Sequence, residues 1–94
     1  MISTGPSAES PPYQILATPR GQRAVDRCPA IVKESAKTLA QDPRRTGALK
    51  MVGGDEWLLR IGDYRIIYLI DDSTHTVTVL FAGHRRDVYL EWDR

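Results

Sequence analysis

The sequence predicts an α+β fold made of an N-terminal strand, an αα-hairpin, a three-stranded antiparallel meander and a short C-terminal segment. In the first half of the chain, apolar residues recur at the spacing of amphipathic helices. In the second half, apolar runs rich in β-branched and aromatic residues are separated by short turn sequences, which is typical of a meander. A polar connector over residues 44–47 separates the two patterns.

Two regions of the chain differ in composition. Residues 1–12 are rich in Ser, Pro and Gly and are predicted to be a disordered N-terminal tail, whereas residues 13–94 are predicted to form one domain. The tail has neither the basic start nor the apolar stretch of a signal peptide. No run approaches the roughly 18 apolar residues of a membrane span. We therefore expect a soluble, cytoplasmic protein.

The first strand and the first helix are predicted within residues 13–27. Residues 13–18 (YQILAT) alternate loosely between apolar and polar side chains, as a strand does. Thr18 followed by Pro19 is typical of a helix N-cap and the first helical position. We therefore expect a short helix from Pro19 to Arg27, weakened by Gly21.

A second helix is predicted from Pro29 to Gln41, where apolar residues again recur at helical spacing. Asp42-Pro43 is expected to end this helix, because the residue before a proline is displaced from the helical region. The two helices follow each other almost directly along the chain. They are therefore expected to form an αα-hairpin with one apolar stripe.

The antiparallel meander is predicted to follow the polar connector. Its strands are residues 56–61, 64–71 and 75–84. The first two are joined by a two-residue turn at Gly62-Asp63, and the last two by a longer turn over residues 71–74. Connections this short join neighbouring strands, so the three strands are expected to pair in sequence order.

Both faces of the last two strands are apolar. Alternation along the last strand predicts Val77, Val79 and Phe81 on one face and Leu80 and Ala82 on the other. One αα-hairpin covers only one face of such a sheet. The second face is therefore expected to need a cover, from the C-terminal segment, from a second copy of the chain or from a partner protein.

Charge and cysteine content argue against several kinds of site. The chain carries 13 Lys and Arg against 12 Asp and Glu, a net charge of +1, so the strong basic excess of many nucleic-acid-binding proteins is absent. Cys28 is the only cysteine and lies among apolar residues, which favours a small buried side chain over a nucleophile. His75 and His84 lack the spacing of metal ligands, so neither a metal nor a cofactor is predicted.

Arg65 is the first candidate for chemistry. It follows the Gly62-Asp63 turn on the central strand, where a charged side chain is costly unless it is paired or reaches an edge. A salt bridge to Asp63, Asp71 or Asp87 would explain it. The alternative is an anion clamp, because a guanidinium group binds phosphate through two parallel hydrogen bonds. Spacing alone slightly favours the salt bridge.

Further candidates follow the last strand. Arg65 near the start of one strand and Arg85 just past the end of its antiparallel neighbour are expected at the same edge of the sheet. Arg86 is expected to be solvated. Tyr89 could anchor the C-terminal segment by packing, or take part in proton transfer beside the arginines. His84 would suit an acid or base, although a lone histidine at a strand end is more often structural.

The strings RIGDYRIIY (residues 60–68) and GHRRDVY (residues 83–89) resemble those of the RelE/ParE toxin superfamily of bacterial type II toxin–antitoxin systems. The resemblance extends from Tyr13 to Tyr89 and includes the first strand and the proline-broken helical hairpin. It implies a RelE-like microbial RNase-type fold. In the RelE branch it also implies a ribosome-dependent endoribonuclease that cuts mRNA in the A site.

The resemblance implies that Arg65, Arg85, Tyr89 and His84 are catalytic residues. The 2′-hydroxyl of a ribose would attack the adjacent phosphate, while the arginines stabilise the developing charge and a base takes the proton. Lys50, with Arg44 and Arg45, could touch a nucleic-acid backbone, although most such residues simply keep a connector soluble. Together with Arg60 and Arg86, they are assigned to RNA binding.

The same resemblance implies three partners, namely the ribosome, the mRNA and a small cognate antitoxin that wraps the toxin and covers its open sheet face. It also leaves alternatives, because well-studied RelE enzymes carry two lysines on the second strand, where this chain has Glu56 and Leu58. One alternative is a ParE-like toxin that inhibits DNA gyrase without catalytic residues. The other is a degenerate member that acts only as an interaction module.

Overall fold

The computed structural model describes residues 12–92. The strands are β1 (Gln14–Ala17), β2 (Ala48–Lys50), β3 (Trp57–Ile61), β4 (Tyr64–Asp71) and β5 (Thr76–His84). The helices are α1 (Pro19–Asp26), α2 (Ala30–Thr38) and α3 (Arg85–Glu91). Apart from Pro12, the predicted tail lies outside the described residues. None of the helices within residues 12–92 has the length and apolar character needed to cross a membrane.

The strands form one mixed sheet in the order β1-β5-β4-β3-β2. The predicted α+β fold is confirmed, with the strand, the αα-hairpin and the antiparallel meander in their predicted order. Two features go beyond the prediction. β1 pairs parallel to β5, and the connector after α2 continues into the short strand β2, which pairs antiparallel to β3. Both additions satisfy backbone groups that would otherwise lie unpaired along the edges of the meander.

The second helix ends earlier than its sequence predicts. α2 stops at Thr38, not at Gln41. The residues that follow form tight turns, in which each amide bonds to the carbonyl three residues back, as Leu39 N does to Ala36 O at 3.1 Å. Pro43 therefore lies beyond a tapering helix end, and does not itself terminate regular helix.

α1 lies very close to β5. Its N-terminus is capped as predicted, because Oγ1 of Thr18 accepts a hydrogen bond from the amide of Gly21 at 3.0 Å. A Cβ atom placed on Gly21 would lie only 2.2 Å from the carbonyl oxygen of Val79 in β5. The glycine that weakens the helix in isolation is thus the residue that lets the helix backbone approach the sheet.

A β-bulge in β5 changes the predicted faces of that strand. Tyr68 pairs with Val79 and Ile67 pairs with Phe81, so Leu80 is an extra residue on β5. Directly paired residues share a face of the sheet. Phe81 therefore lies on the opposite face from Val79, and the prediction that they share a face is wrong. Alternation could not reveal the bulge, because it assumes a uniform period of two.

The main core lies between the helical hairpin and one face of the sheet. Its fully buried side chains come from both layers: Val32, Leu39, Leu59, Ile66, Tyr68, Val77 and Val79. On the second face, Ile67 is also fully buried, Val88 of α3 is buried, and Trp92 stacks on Phe81 with ring centroids 6.1 Å apart. The C-terminal segment therefore supplies one of the predicted covers. Leu16 and Leu49 on the two edge strands remain 44% and 50% exposed.

A polar cluster of Tyr13, Arg44 and Asp72 joins the start of the domain to the β4–β5 turn. Arg44 makes two parallel hydrogen bonds to the Asp72 carboxylate, at 3.2 and 2.9 Å, and the Tyr13 hydroxyl donates to the same group. The Arg44 guanidinium also lies 5.3 Å from the ring centre of Trp57. The hydrogen bonds from Arg44 and then Tyr13 lower the pKa of Asp72 to about 2.

We expect Gly21→Ala to destabilise the protein by about 1–3 kcal/mol, because the added Cβ overlaps a carbonyl that cannot move freely. The carbonyl oxygen of Val79 also accepts a hydrogen bond from the amide of Thr18 at 3.0 Å. This loss should exceed the gain of up to about 1 kcal/mol in helix propensity. Urea unfolding midpoints test the expectation. Gly54→Ala is the control, since a Cβ there meets only the flexible Glu56 side chain. Equal stability of Gly21→Ala and wild type would contradict the close approach.

The Asp72 cluster should make stability depend on acid pH. Because the folded pKa of about 2 lies below the ordinary value, the contribution of Asp72 is present above pH ~4 and lost as the pH falls towards 2. Wild type should therefore exceed Asp72→Asn in urea midpoint at pH 6, with the difference closing near pH 2. Asp55→Asn, at an exposed carboxylate without an ion pair within residues 12–92, should show no such difference. A difference that persists unchanged to pH 2 would contradict the assignment.

Candidate functional site

Three arginines lie at the end of the sheet where the β3–β4 turn meets the end of β5. Arg60 pairs directly with Arg65, and Arg65 pairs directly with Gly83. Arg60, Arg65 and Gly83 therefore form one row across β3, β4 and β5, on the same face of the sheet. Arg85 follows β5 as the first residue of α3. We call Arg60, Arg65 and Arg85 the arginine edge.

A backbone hydrogen bond holds the arginine edge together. The amide of Arg85 donates to the carbonyl oxygen of Asp63 at 2.7 Å. This contact joins the first residue of α3 to the turn that immediately precedes β4. The structure thus places Arg65 and Arg85 at one edge of the sheet, as strand direction predicts.

Arg65 is not engaged in a salt bridge. None of the ion pairs within residues 12–92 includes it, so Asp63, Asp71 and Asp87 do not neutralise it. Instead its Nη1 atom donates to the carbonyl oxygens of Gly62 and Tyr64, at 2.7 and 2.8 Å. One nitrogen of the guanidinium is thereby held by the turn, while the rest of the group keeps its hydrogen-bonding capacity for a ligand.

His84 caps α3. Its Nδ1 atom accepts a hydrogen bond from the amide of Arg86 at 3.1 Å, and its ring packs edge-on to Tyr64 with centroids 5.5 Å apart. An accepting Nδ1 places the hydrogen of a neutral imidazole on Nε2. In this arrangement the neutral His84 can donate a hydrogen bond through Nε2, whereas gain of a proton at Nδ1 would break the cap.

The two sides of α3 carry different chemistry. Asp87 and Glu91 line a cavity of about 140 Å³ together with Arg27 of the helical hairpin. Arg85 and Tyr89 are offset from these carboxylates by two residues, or about half a turn, and therefore lie on the other side of the helix. Tyr89 is 78% exposed, so it does not anchor the segment by packing. Its hydroxyl is accessible on the same side of α3 as Arg85.

Apart from Arg60, the residues predicted to bind RNA are not part of the arginine edge. Arg44 is paired with Asp72. Asp72 follows the end of β4, which at the rise of a β-strand places its backbone about 20 Å from that of Arg65. Arg45 donates to Thr38 Oγ1 at 2.9 Å. Lys50 and Arg86 are both exposed; Lys50 donates to a loop carbonyl, and Arg86 follows Arg85 in the first turn of α3.

Cys28 behaves as the small packing residue that its surroundings predict. Its side chain is half-buried and donates to the carbonyl oxygen of Ala24 at 3.2 Å. Burial, assisted by the negative charge of Asp87, raises the pKa of the thiol, which disfavours the reactive thiolate. Across residues 12–92, no group of three or more His, Cys, Asp or Glu side chains is arranged to hold a metal ion.

Sequence reasoning did not identify Arg20 as a residue that positions the site. Its guanidinium lies 4.9 Å from the ring centre of Phe81 and 5.1 Å from that of Trp92, and it donates to the carbonyl oxygen of Glu91 at 2.8 Å. These contacts hold the end of α3 against α1, and so orient Tyr89. The contacts span about seventy residues of sequence, and no local pattern signals them.

Comparison with known proteins identifies related sequences. The sequence profile of the family described as the ParE toxin of the type II toxin–antitoxin system parDE matches residues 14–89. Among curated proteins, Toxin RelG of Mycobacterium tuberculosis is 32% identical to this chain over 84 residues. The matched region covers 83% of this chain and 97% of RelG.

Solved structures show the same fold. The toxin–antitoxin complex RelBE2 from Mycobacterium tuberculosis contains a chain that is 25% identical with a TM-score of 0.59, over 79% of this chain and 92% of that chain. A mutant of the Escherichia coli toxin RelE in the free state is 20% identical with a TM-score of 0.66, over 85% of this chain and 93% of that chain. The second likeness concerns the fold alone.

Substitution of His84 should separate its capping role from any role in proton transfer. We expect His84→Ala to lose about 1 kcal/mol of stability, because the Arg86 amide loses its partner, whereas His84→Asn should retain the cap. Urea unfolding and hydrogen exchange of the α3 amides measure the effect. If His84→Ala left both the midpoint and the α3 protection unchanged, the capping assignment would be wrong.

Proposed function

The chain belongs to the ParE toxin family, within the RelE/ParE superfamily of type II toxin–antitoxin systems, and on that premise we propose that it is a ribosome-dependent endoribonuclease. The substrate is mRNA in the ribosomal A site, and the outcome is inhibition of translation in the cytoplasm. The similarity to Toxin RelG over most of both chains is one support. The observation that carries the proposal is the arginine edge.

The arginine edge suits a reaction that concentrates negative charge on phosphorus. No carboxylate pairs with the arginine edge: within the described part of the chain, none of the ion pairs includes Arg60, Arg65 or Arg85. Held by its turn, Arg65 needs little reorganisation to meet a developing charge. Preorganised donors of this kind contribute about 10²–10³-fold each to rate.

The proposed chemistry is an internal transfer at phosphorus. The ribose 2′-oxygen forms a bond to the adjacent phosphorus while the bond from phosphorus to the 5′-oxygen of the next nucleotide breaks. The 2′ proton leaves to a base, and the departing 5′-oxygen gains a proton. Tyr89, exposed beside Arg85, is the candidate for the first transfer. In the second, His84 would act as the imidazolium and give up its Nε2 proton, a state in which Nδ1 no longer accepts from the Arg86 amide. General acid–base assistance of this kind contributes about 10²–10⁴-fold.

Contacts to the message and the ribosome would involve the remaining cations. Arg60 lies opposite Arg65 on β3, and Arg86 follows Arg85 in α3, so both are at the same end of the sheet as the catalytic candidates. Arg44 and Lys50 lie towards the other end, and Arg45 bonds Thr38 at the end of α2, so these three would contact RNA outside the cleavage site. No metal or cofactor enters this mechanism.

A cognate antitoxin is the second proposed partner. The solved relatives include toxin–antitoxin complexes from Mycobacterium tuberculosis and Pyrococcus horikoshii. In this chain, Leu16 and Leu49 leave apolar area exposed on the two edge strands, which a partner segment would bury. Carboxylates on that segment would also pair with the unneutralised arginine edge.

A second candidate function is ParE-like inhibition of DNA gyrase without catalysis. The observation that favours it is the match of residues 14–89 to the ParE toxin family. In that case the exposed arginines would bind a protein surface, and the histidine cap and the exposed tyrosine would have no chemical role. The two candidates predict different lesions in the cell.

Expression of the toxin without its antitoxin tests the proposal. Wild type should produce new mRNA 5′ ends phased with codons on translated messages. Arg65→Ala and Arg85→Ala should each reduce cleavage by about 10²–10³-fold, because each removes a donor to the charged phosphate. Mapping of mRNA 5′ ends measures this. The matched control is Arg23→Ala, an exposed arginine of α1 outside the arginine edge, which should cleave as wild type does.

Two outcomes would contradict parts of the proposal. Unchanged cleavage in both edge variants would remove the catalytic assignment. Intact messages together with accumulated gyrase–DNA breaks would replace it with gyrase inhibition. In every arm, thermal unfolding of the purified variants establishes that lost activity does not reflect lost folding.

A further inference from the structure

Helix α3 has little in its own sequence to keep it folded. It has only seven residues, whereas isolated helices shorter than about 12–15 residues are marginal in water. Its last turn contains no basic residue to interact with the C-terminal end of the helix dipole. Across its seven residues, all within the described part of the chain, Val88 is the one buried side chain. The position of α3 must therefore depend on contacts from elsewhere in the fold.

Arg20 of α1 supplies the missing C-terminal cation. Its Nη2 atom donates to the carbonyl oxygen of Glu91, the last residue of α3, at 2.8 Å. The last carbonyls of a helix have no partner within the helix itself. The same guanidinium lies 4.9 and 5.1 Å from the ring centres of Phe81 and Trp92, close enough for a cation–π interaction with each. One side chain of α1 thus caps α3 and connects the residue after it to the sheet.

Arg20 and Phe81 belong to the part of the fold that does not depend on α3. Arg20 precedes Gly21, the residue at which α1 lies directly against the carbonyl of Val79 in β5. Phe81 lies two residues further along the same strand and is buried. Trp92, by contrast, directly follows α3. The contact between Arg20 and Trp92 therefore decides whether the end of α3 is docked on the rest of the fold.

Docking of Trp92 also carries a cost. Its Nε1 atom is buried and has no hydrogen-bond partner among residues 12–92. A buried N–H group without a partner opposes docking, because water would satisfy it in the undocked state. The interactions of Arg20 offset this cost. Loss of Arg20 should therefore shift the end of α3 towards the undocked state.

We propose that Arg20 is a positioning residue: it sets the docking equilibrium of α3, and so the fraction of molecules in which Tyr89 is held on the same side as Arg85. Tyr89 lies in the last turn of α3, two residues before the carbonyl that Arg20 caps. Arg85, at the start of α3, is held separately, since its amide donates to the carbonyl of Asp63. Undocking would therefore move Tyr89 and leave the arginine edge in place. The bearing of Arg20 on cleavage rests on the proposed function, whereas its effect on docking does not.

Hydrogen exchange of the isolated toxin tests the docking role. Arg20→Gln should speed exchange of the Trp92 amide, which donates to the carbonyl of Val88 in the docked helix, by about tenfold to hundredfold. The amide of Ile66 in the core should be affected less, because the opening is local. The matched control is Arg23→Gln, which removes the same charge from α1 beside the same cavity, but from a residue without a ring contact within residues 12–92. Unchanged exchange of α3 in Arg20→Gln, or an equal effect of Arg23→Gln, would overturn the proposal.

Tryptophan fluorescence gives a second measure of docking. With Trp57→Phe, Trp92 is the only tryptophan of the chain. In that background Arg20→Gln should shift the emission to longer wavelength, because Trp92 becomes hydrated. Arg20→Lys keeps a cation near the rings and should shift it less. A shift of equal size in both variants would contradict the cation–π contact.

Cleavage separates positioning from direct contact with the substrate. If Arg20 acts only through docking, the fold loss of cleavage in Arg20→Gln cannot exceed the fold increase in opening of α3. Tyr89→Phe should then cost less cleavage in Arg20→Gln than in wild type, whereas Arg65→Ala should cost the same factor in both. A cleavage loss larger than the loss of protection would overturn the positioning role, as would a full effect of Tyr89→Phe in Arg20→Gln.

The exchange result is independent of the reaction. Faster exchange at the end of α3 in Arg20→Gln, in a toxin that leaves mRNA intact, would support docking by Arg20 and refute the endoribonuclease. Cleavage that depends on Arg65 but is equal in wild type and Arg20→Gln, with the protection of α3 unchanged, would refute the docking role and retain the enzyme.

Discussion

The pairing of β4 with β5 is the constraint on which the rest of this molecule depends. The two strands form the centre of the sheet, and the bulge at Leu80 sets how their ends meet. With a regular register, Ala82 would stand opposite Arg65. The extra residue instead places Gly83 there, and pairs His84 with Tyr64. One inserted residue thus decides both which apolar side chains face the helical hairpin and what lies beside the arginine of the candidate site.

The end of β5 also sets the position of α3. Its first residue is bonded to the carbonyl of Asp63, and its last turn is held by Arg20 through Phe81 and Trp92. With both ends held and Val88 buried, the helix can present only one side to the hairpin. That side carries the carboxylates, so the basic and phenolic side chains are directed away from them. The same packing that completes the core on the second face therefore segregates charge at the site.

The net charge of the chain does not reveal the arginine edge. A net charge of +1 argues against a general affinity for nucleic acid. Four of the acidic residues, however, bond elsewhere: Asp72 pairs with Arg44, the Asp71 carboxylate accepts from the amide of Ser73 in the β4–β5 turn, and Asp26 and Glu34 pair with lysines of the hairpin. The arginine edge keeps a local positive charge that the sum conceals. A short, unpaired cluster of this kind suits one phosphate group better than a long nucleic-acid track.

The sequence alone determined the order of the elements, the α1 cap, the two turns of the meander and the meeting of Arg65 with Arg85, because each depends on local periodicity, turn chemistry or strand direction. Only the tertiary structure decided the faces of Phe81 and Val79, the parallel addition of β1, the early end of α2, the capping role of His84 and the direct opposition of Arg60 and Arg65. It also overturned the salt-bridge interpretation of Arg65, since Arg65 takes part in no ion pair among the described residues. These features depend on register and on contacts between residues far apart in sequence. A pattern read along one strand carries no information about which residue of the next strand lies opposite it.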